Sequence, residues 1–169
     1  EWMDEGQKVV PISVNLSRMH FVNSNFIEKF KLIVDKYKIP TRLIELELTE
    51  TAVLDNIEGL LDTMNNLKEK GFVISMDDFG TGYSSLNLLK ELPVDILKLD
   101  RAFFTEKDES NNEKIVISNV IKMAKELKMK VISEGVETIS QVEFLKQIGC
   151  DMVQGYLFSK PMPVKEFEK

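Results

Sequence analysis

The chain has 169 residues, 43% hydrophobic and 30% charged, the composition of one ordinary globular domain long enough to bury a core. Its net charge of -6 gives no reason to expect a nucleic-acid polymer or an anionic membrane surface as partner, and no apolar run nears the roughly 20 residues that span a bilayer. The single Cys150 excludes an internal disulfide and fits a reducing, cytoplasmic setting.

Short apolar runs alternate with helical patterns, and each run finishes in a polar group. The run Val9 to Val14 finishes in Asn15. A helix is predicted over 25–37, and the next run, Leu43 to Leu46, finishes in Glu47 and Glu50. After a helix over 56–70, stopped by Gly71, the run Phe72 to Met76 finishes in Asp77 and Asp78, and Gly80-Thr81-Gly82 turns the chain. A helix over 84–92 ends at Pro93, and Val94 to Leu97 leads into Lys98 and Asp100. Residues 105–114 read as an exposed loop before a helix over 112–128, and Lys130 to Ser133 finishes in Glu134. Ser140 with Glu143 predicts a capping box for a helix over 140–148, which Gly149 stops. Asp151 to Val153 finishes in Gln154, and a helix begins after Pro163.

Strands alternating with helices imply right-handed βαβ units and a parallel sheet. The runs read as strands buried on both faces. In a barrel of parallel strands their ends meet at one face, where active sites form. Six strand signals against the eight of a closed barrel predict a truncated parallel β/α barrel, one partial domain over 1–169 whose missing strands lie upstream. No internal repeat, low-complexity segment or second domain is visible.

The polar ends define a chemistry. Asn15, Glu47, Asp77 and Asp78 are hard oxygen ligands suited to Mg²⁺ or Mn²⁺. Two such ions about 3.5–4 Å apart can activate a water and stabilise an in-line phosphoryl displacement. Lys98, between Leu97 and Leu99, needs an anionic partner. Glu134 could bind the second ion or accept a proton from the attacking water, and Gln154 offers both donor and acceptor to a ligand. His20 and Cys150 read as structural, Cys150 as a small buried residue, and Gly80-Thr81-Gly82 alone reads as a plain turn.

These residues resemble a family. Ser13-Val14-Asn15-Leu16-Ser17, Glu45-Leu46-Glu47-Leu48-Thr49-Glu50, Asp77-Asp78-Phe79-Gly80-Thr81-Gly82-Tyr83, Leu97-Lys98-Leu99-Asp100, Glu134-Gly135-Val136-Glu137-Thr138 and Gln154-Gly155-Tyr156 stand in the order of the EAL domain, a bacterial cyclic di-GMP phosphodiesterase module. The resemblance implies that Asn15, Glu47 and Asp77 hold a first metal ion, and that Asp77, Asp78 and Glu134 hold a second. It implies that Lys98 contacts the catalytic water, with Glu134 a candidate base, and that Gln154 holds a guanine nucleotide. It places Glu50 and Glu137 behind the loop after Asp78, which contains Gly80 and Gly82. It further implies cleavage of cyclic di-GMP to linear pGpG with two Mg²⁺ or Mn²⁺ ions, a homodimer, and fusion to a sensory or GGDEF domain. The Glu-Ala-Leu tripeptide that names the family does not occur. Its glutamate is expected upstream, so this segment alone is expected to be inactive. The rival readings are a receptor that binds the dinucleotide without cleaving it and an unrelated barrel enzyme acting on sugar phosphates.

Overall fold

The computed structural model describes residues 1–17, 20, 25–49, 57–80, 86–104 and 111–168. Six strands lie in one sheet in chain order: β1 (Ile12–Asn15), β2 (Ile44–Thr49), β3 (Val73–Phe79), β4 (Ile96–Leu99), β5 (Lys130–Ser133) and β6 (Met152–Val153). Helices α1 (Phe26–Lys36), α2 (Ile57–Glu69), α3 (Leu86–Glu91), α4 (Asn111–Glu126) and α5 (Ile139–Gln147) fill the successive connections, and α6 (Val164–Phe167) follows β6. Sequential strand order with helical crossovers is the topology of a parallel β/α barrel; a doubly wound sheet would reverse its order part-way. The expected starts of α2 at Asn56 and α3 at Ser84, the segment 105–110, and site residues Glu50 and Gly82 lie outside the described residues.

Contacts divide the chain into two compact units, Glu1–Leu97 and Lys98–Lys169. In the first, β1 pairs β2 and β2 pairs β3, both parallel. Leu46, Leu48, Ile74 and Met76 are buried, as are Leu60, Met64 and Leu67 of α2. The expectation of strands buried on both faces holds for β2 but fails for β1, where Ile12 is 53% and Val14 38% exposed. β1 stands at one end of the strand order and pairs only with β2. In the second unit, β5 pairs β6 in parallel, and Ile117, Ile121 and Ala124 of α4 are buried, as are Val131 and Leu145.

Four helix ends share one geometry. After α1, α2, α4 and α5 a residue with positive φ stands at the exit: Lys38 (53°), Gly71 (84°), Lys128 (64°) and Gly149 (81°). Each donates to a carbonyl three residues back, and the following residue donates five back. In α2 these are Gly71 N to Lys68 O at 2.8 Å and Phe72 N to Leu67 O at 3.1 Å; in α4, Lys128 N to Lys125 O and Met129 N to Ala124 O, both 2.9 Å. This is the Schellman pattern, which satisfies the last carbonyls of a helix. Sequence finds the two glycine exits and misses the two lysines, because lysine carries no left-handed signal. At Gly71 an added Cβ would also meet Thr41 Oγ1 at 2.7 Å.

A second motif is duplicated. Asp95 donates its N–H to Ile74 O (2.9 Å), accepts the Ile74 N–H on Oδ2 (3.0 Å) and binds Lys68 Nζ on Oδ1 (2.6 Å). Asp151 repeats this with Val131 O (3.1 Å), Val131 N–H (2.7 Å) and Lys125 Nζ (2.5 Å). Each aspartate stands just before a strand and clamps it to the strand before. The repeat not visible in the sequence is thus present in the geometry. The capping box of α5 also differs from expectation. Thr138, not Ser140, is the cap: its Oγ1 accepts from Gln141 N (3.3 Å) while Gln141 Oε1 accepts from Thr138 N (3.0 Å) and Glu137 N (2.8 Å). Ser140 Oγ instead pairs with Thr138 Oγ1 at 3.0 Å.

A left-handed non-glycine residue costs about 1–2 kcal/mol, less the extra unfolded-state entropy of glycine. Lys38→Gly and Lys128→Gly should therefore each stabilise the chain by about 0.5–1 kcal/mol in urea denaturation. At Asp151 burial pushes the carboxyl up, but the Lys125 hydrogen bond and the Val131 N–H outweigh it and hold it below the ordinary value. A depressed folded-state pKa means that the clamp stabilises above the unfolded pKa of about 3.9 and that this is lost as pH falls through the folded value. Urea midpoints of wild type and Asp151→Asn should differ at pH 7 and converge as pH drops below about 4.

Candidate functional site

Partners in a parallel register project their side chains to the same face. The pairings Ser13↔Glu45↔Val73, Asn15↔Glu47↔Ser75 and Thr49↔Asp77 therefore gather Ser13, Asn15, Glu45, Glu47, Thr49, Ser75 and Asp77 on one face, with Val73 the sole apolar member. The opposite face of the same strands carries Ile12, Val14, Ile44, Leu46, Leu48, Ile74 and Met76. The apolar runs seen in sequence thus conceal a two-residue alternation of chemistry. Glu45 and Glu47 are 6% and 7% exposed and Ser75 is fully buried. Ser75 Oγ and Glu45 Oε1 are buried and have no hydrogen-bond partner among the described residues. A buried face this polar calls for ligand or water.

The strand carrying the aspartate pair runs on to Phe79, so Asp77 and Asp78 sit inside β3 rather than beyond its end. Asp78 has φ of 54°, and Gly80 turns the chain with φ of 102°. Asp is one of the few residue types that enter the left-handed region without glycine, and such strain clusters at functional sites. Glu134, directly after β5, is likewise followed by a positive-φ residue, Gly135 at 67°. In each case an acid is followed directly by a residue with positive φ.

In the second unit Lys98 is 6% exposed, and its Nζ lies 2.7 Å from Glu134 Oε1. Glu134 N donates to Leu99 O at 2.9 Å, which fixes the acid beside the lysine's own strand. Glu134, Glu137 and Gln154 line a cavity of about 450 Å³ together with Arg101, Tyr156, Lys160 and others. Its floor is main chain against main chain: Gln154 N to Ser133 O (2.8 Å), Val136 N to Gln154 O (3.0 Å) and Leu157 N to Val136 O (3.1 Å). Glycine is required there, since a Cβ at Gly155 would lie 2.0 Å from Val136 O.

The structure thus brings Asn15, Glu47 and Asp77 to one face of the first unit, pairs Lys98 with Glu134, and sets Glu134, Glu137 and Gln154 around one cavity in the second. Sequence reading missed Glu45 and Ser75 on the polar face, where register alone reveals them. It also missed Arg101 and Lys160 in the cavity. Cys150 is half-buried rather than buried; desolvation pushes its thiol up, and Sγ donates to Met152 O at 3.2 Å. His20 Nδ1 accepts from Ser17 N at 3.0 Å, and its ring lies 4.7 Å from that of Phe26, a structural role.

Amide, hydroxyl and carboxylate oxygens are the donors on the polar face, so the set fits a hard divalent cation in kind. Among the described residues no three His, Cys, Asp or Glu side chains are already gathered as a formed metal centre. None of the described helices is long and apolar enough to cross a membrane.

The EAL domain family matches residues 1–161, and the chain belongs to that family. It is 37% identical over 164 residues to the cyclic di-GMP phosphodiesterase NbdA of Pseudomonas aeruginosa, covering 97% of this chain and 21% of that protein. The solved complex of the phosphodiesterase MucR, from the same organism, with c-di-GMP superposes with a TM-score of 0.88 at 35% identity, over 98% of this chain and 67% of that one. The manganese and cyclic di-GMP complex of BlrP1 from Klebsiella pneumoniae gives 0.83 at 26% identity, over 89% of this chain and 39% of that one. The chain spans about a fifth of the length of curated relatives such as NbdA.

The main-chain floor of the cavity makes a prediction. Gly155→Ala should destabilise by about 1–3 kcal/mol more than Gly149→Ala in matched urea titrations, because only the first drives a methyl into backbone. Gly149 has nothing within 4 Å of its would-be Cβ.

Proposed function

We propose that the domain hydrolyses cyclic di-GMP, opening one of its two phosphodiesters to give linear pGpG. The Lys98–Glu134 ion pair at 2.7 Å carries the proposal, because its half-buried acid also lines a nucleotide-sized cavity with Gln154. The names of NbdA and MucR support the substrate.

An ammonium and a carboxylate held as an ion pair 2.7 Å apart can orient one water and move its proton. In this reading Lys98 holds the attacking water, and Glu134 takes its proton as the water oxygen bonds to phosphorus. The P–O3′ bond breaks, and the proton leaves with the 3′ oxygen as a hydroxyl. Gln154 holds a guanine. Asn15, Glu47 and Asp77 would hold one Mg²⁺ or Mn²⁺ ion, and Asp77, Asp78 and Glu134 a second. When bound, the two cations supply charge neutralisation at the phosphodiester. Glu50 and Glu137 would steady the loop after Asp78, to which Gly80 and Gly82 belong. The domain acts in the cytoplasm as a homodimer, fused to a sensory or GGDEF domain.

The test is incubation of the full domain, with the Glu-Ala-Leu glutamate in place, with cyclic di-GMP and Mg²⁺, Mn²⁺, Ca²⁺ or chelator, followed by separation of the products; residues 1–169 alone should give little or no pGpG. pGpG is expected with Mg²⁺ or Mn²⁺ and lost with chelator or Ca²⁺. Lys98→Ala and Glu134→Gln should each lower kcat by about 10²–10⁴-fold with little change in dinucleotide affinity. Tight binding with no pGpG under any metal would instead mark a receptor.

A further inference from the structure

We propose that Arg101 determines base specificity in the cavity of the second unit, its guanidinium donating in parallel to O6 and N7 of a bound guanine. This rests on the cyclic di-GMP reading above and adds to it a residue that selects the base.

The position of Arg101 is built from three sides. Its backbone is set by a 3₁₀ turn directly after β4, which Asp100 caps: Ala102 N donates to Asp100 Oδ1 at 2.7 Å, and Phe104 N donates to Arg101 O at 2.8 Å. Its stem rests on bare glycine, because a Cβ at Gly135 would lie 2.3 Å from Arg101 Cβ. The residue is one of those that line the cavity. Lys68, Lys98 and Lys125 each hold a carboxylate within 2.7 Å, whereas the Arg101 guanidinium has no ion pair or hydrogen bond among the described residues. A cation fixed at its base and unpaired at its tip is prepared for an acceptor group on a ligand.

A guanine edge and a phosphate both offer two acceptors to a guanidinium fork. The rest of the lining favours the base. Glu137 lines the same cavity and its charge opposes a phosphate at its end, while Glu134 is given to the phosphodiester. The Glu137 carboxylate suits the donors that guanine carries on its other edge. Tyr156 adds a ring, with Lys160 Nζ 5.5 Å from its centroid. Guanine presents O6 and N7 side by side as acceptors, which is the pattern that arginine binds bidentately. Adenine replaces O6 with an N–H donor, which meets the guanidinium donor to donor.

Calorimetric titration of the protein with cyclic di-GMP and with cyclic di-AMP tests this. Arg101→Ala should weaken cyclic di-GMP binding by about 10- to 100-fold and leave cyclic di-AMP within about twofold. Arg101→Lys keeps the stem on Gly135 and the charge but loses the fork, so it should recover only part of the affinity; a loss in this variant cannot come from collapse of the stem. Equal weakening of both dinucleotides would make Arg101 a phosphate contact and overturn the inference, as would unchanged cyclic di-GMP binding in both variants. Wild-type protein that binds neither dinucleotide would overturn the cyclic di-GMP reading itself, and that failure shows before any substitution is made.

Discussion

The parallel register of neighbouring strands is the constraint on which the site depends. A slip of one residue between β1, β2 and β3 would send Asn15, Glu47 and Asp77 to the helix-packed face and bring leucines in their place. Hydrophobic packing of α2 holds that register from one side, since Leu46, Leu48, Ile74 and Met76 have nowhere else to be buried. The Asp95 and Asp151 clamps act on other strand pairs, tying the residue before β4 to β3 and the residue before β6 to β5 through main-chain and carboxylate bonds. A side chain that hydrogen-bonds a backbone N–H fixes position along the strand more sharply than apolar contact, which tolerates sliding.

Much of this was legible in the sequence, and the reasons for the remainder are specific. Six apolar runs with polar ends gave the strand count and the sheet class, because buried strands and their exits differ strongly in composition. The polar face of β1 to β3 was not legible, because Glu45 and Ser75 look like interruptions until a partner strand shows that they align with Asn15 and Asp77. The lysine helix exits escaped for a different reason: left-handed backbone without glycine leaves no mark on composition. The capping box was displaced because Gln141 serves as well as a glutamate and Thr138 as well as a serine. Arg101 was passed over because it stands two residues past the end of its strand and has no motif of its own.

The paired turns at Asp78 and Gly135 show how one backbone solution takes two chemistries. Each follows an acid, Asp77 within β3 and Glu134 directly after β5, and both have positive φ. Glycine at the second turn leaves room for the Arg101 stem. Aspartate at the first accepts the same torsion with a side chain attached, which is hard to rationalise by folding alone.

The laced floor of the cavity has a consequence for how this domain can diversify. Gln154, Val136 and Leu157 are joined main chain to main chain, with Gly155 leaving no space between. The turn that bears Glu134 and the segment that bears Gln154 are therefore mechanically one piece. Inserting or deleting a residue in either would shear both, so loop-length variation, the commonest route to new ligands in barrel proteins, is closed at this position. Change at this position is therefore confined to the side chains that line the cavity, on a frame that stays fixed.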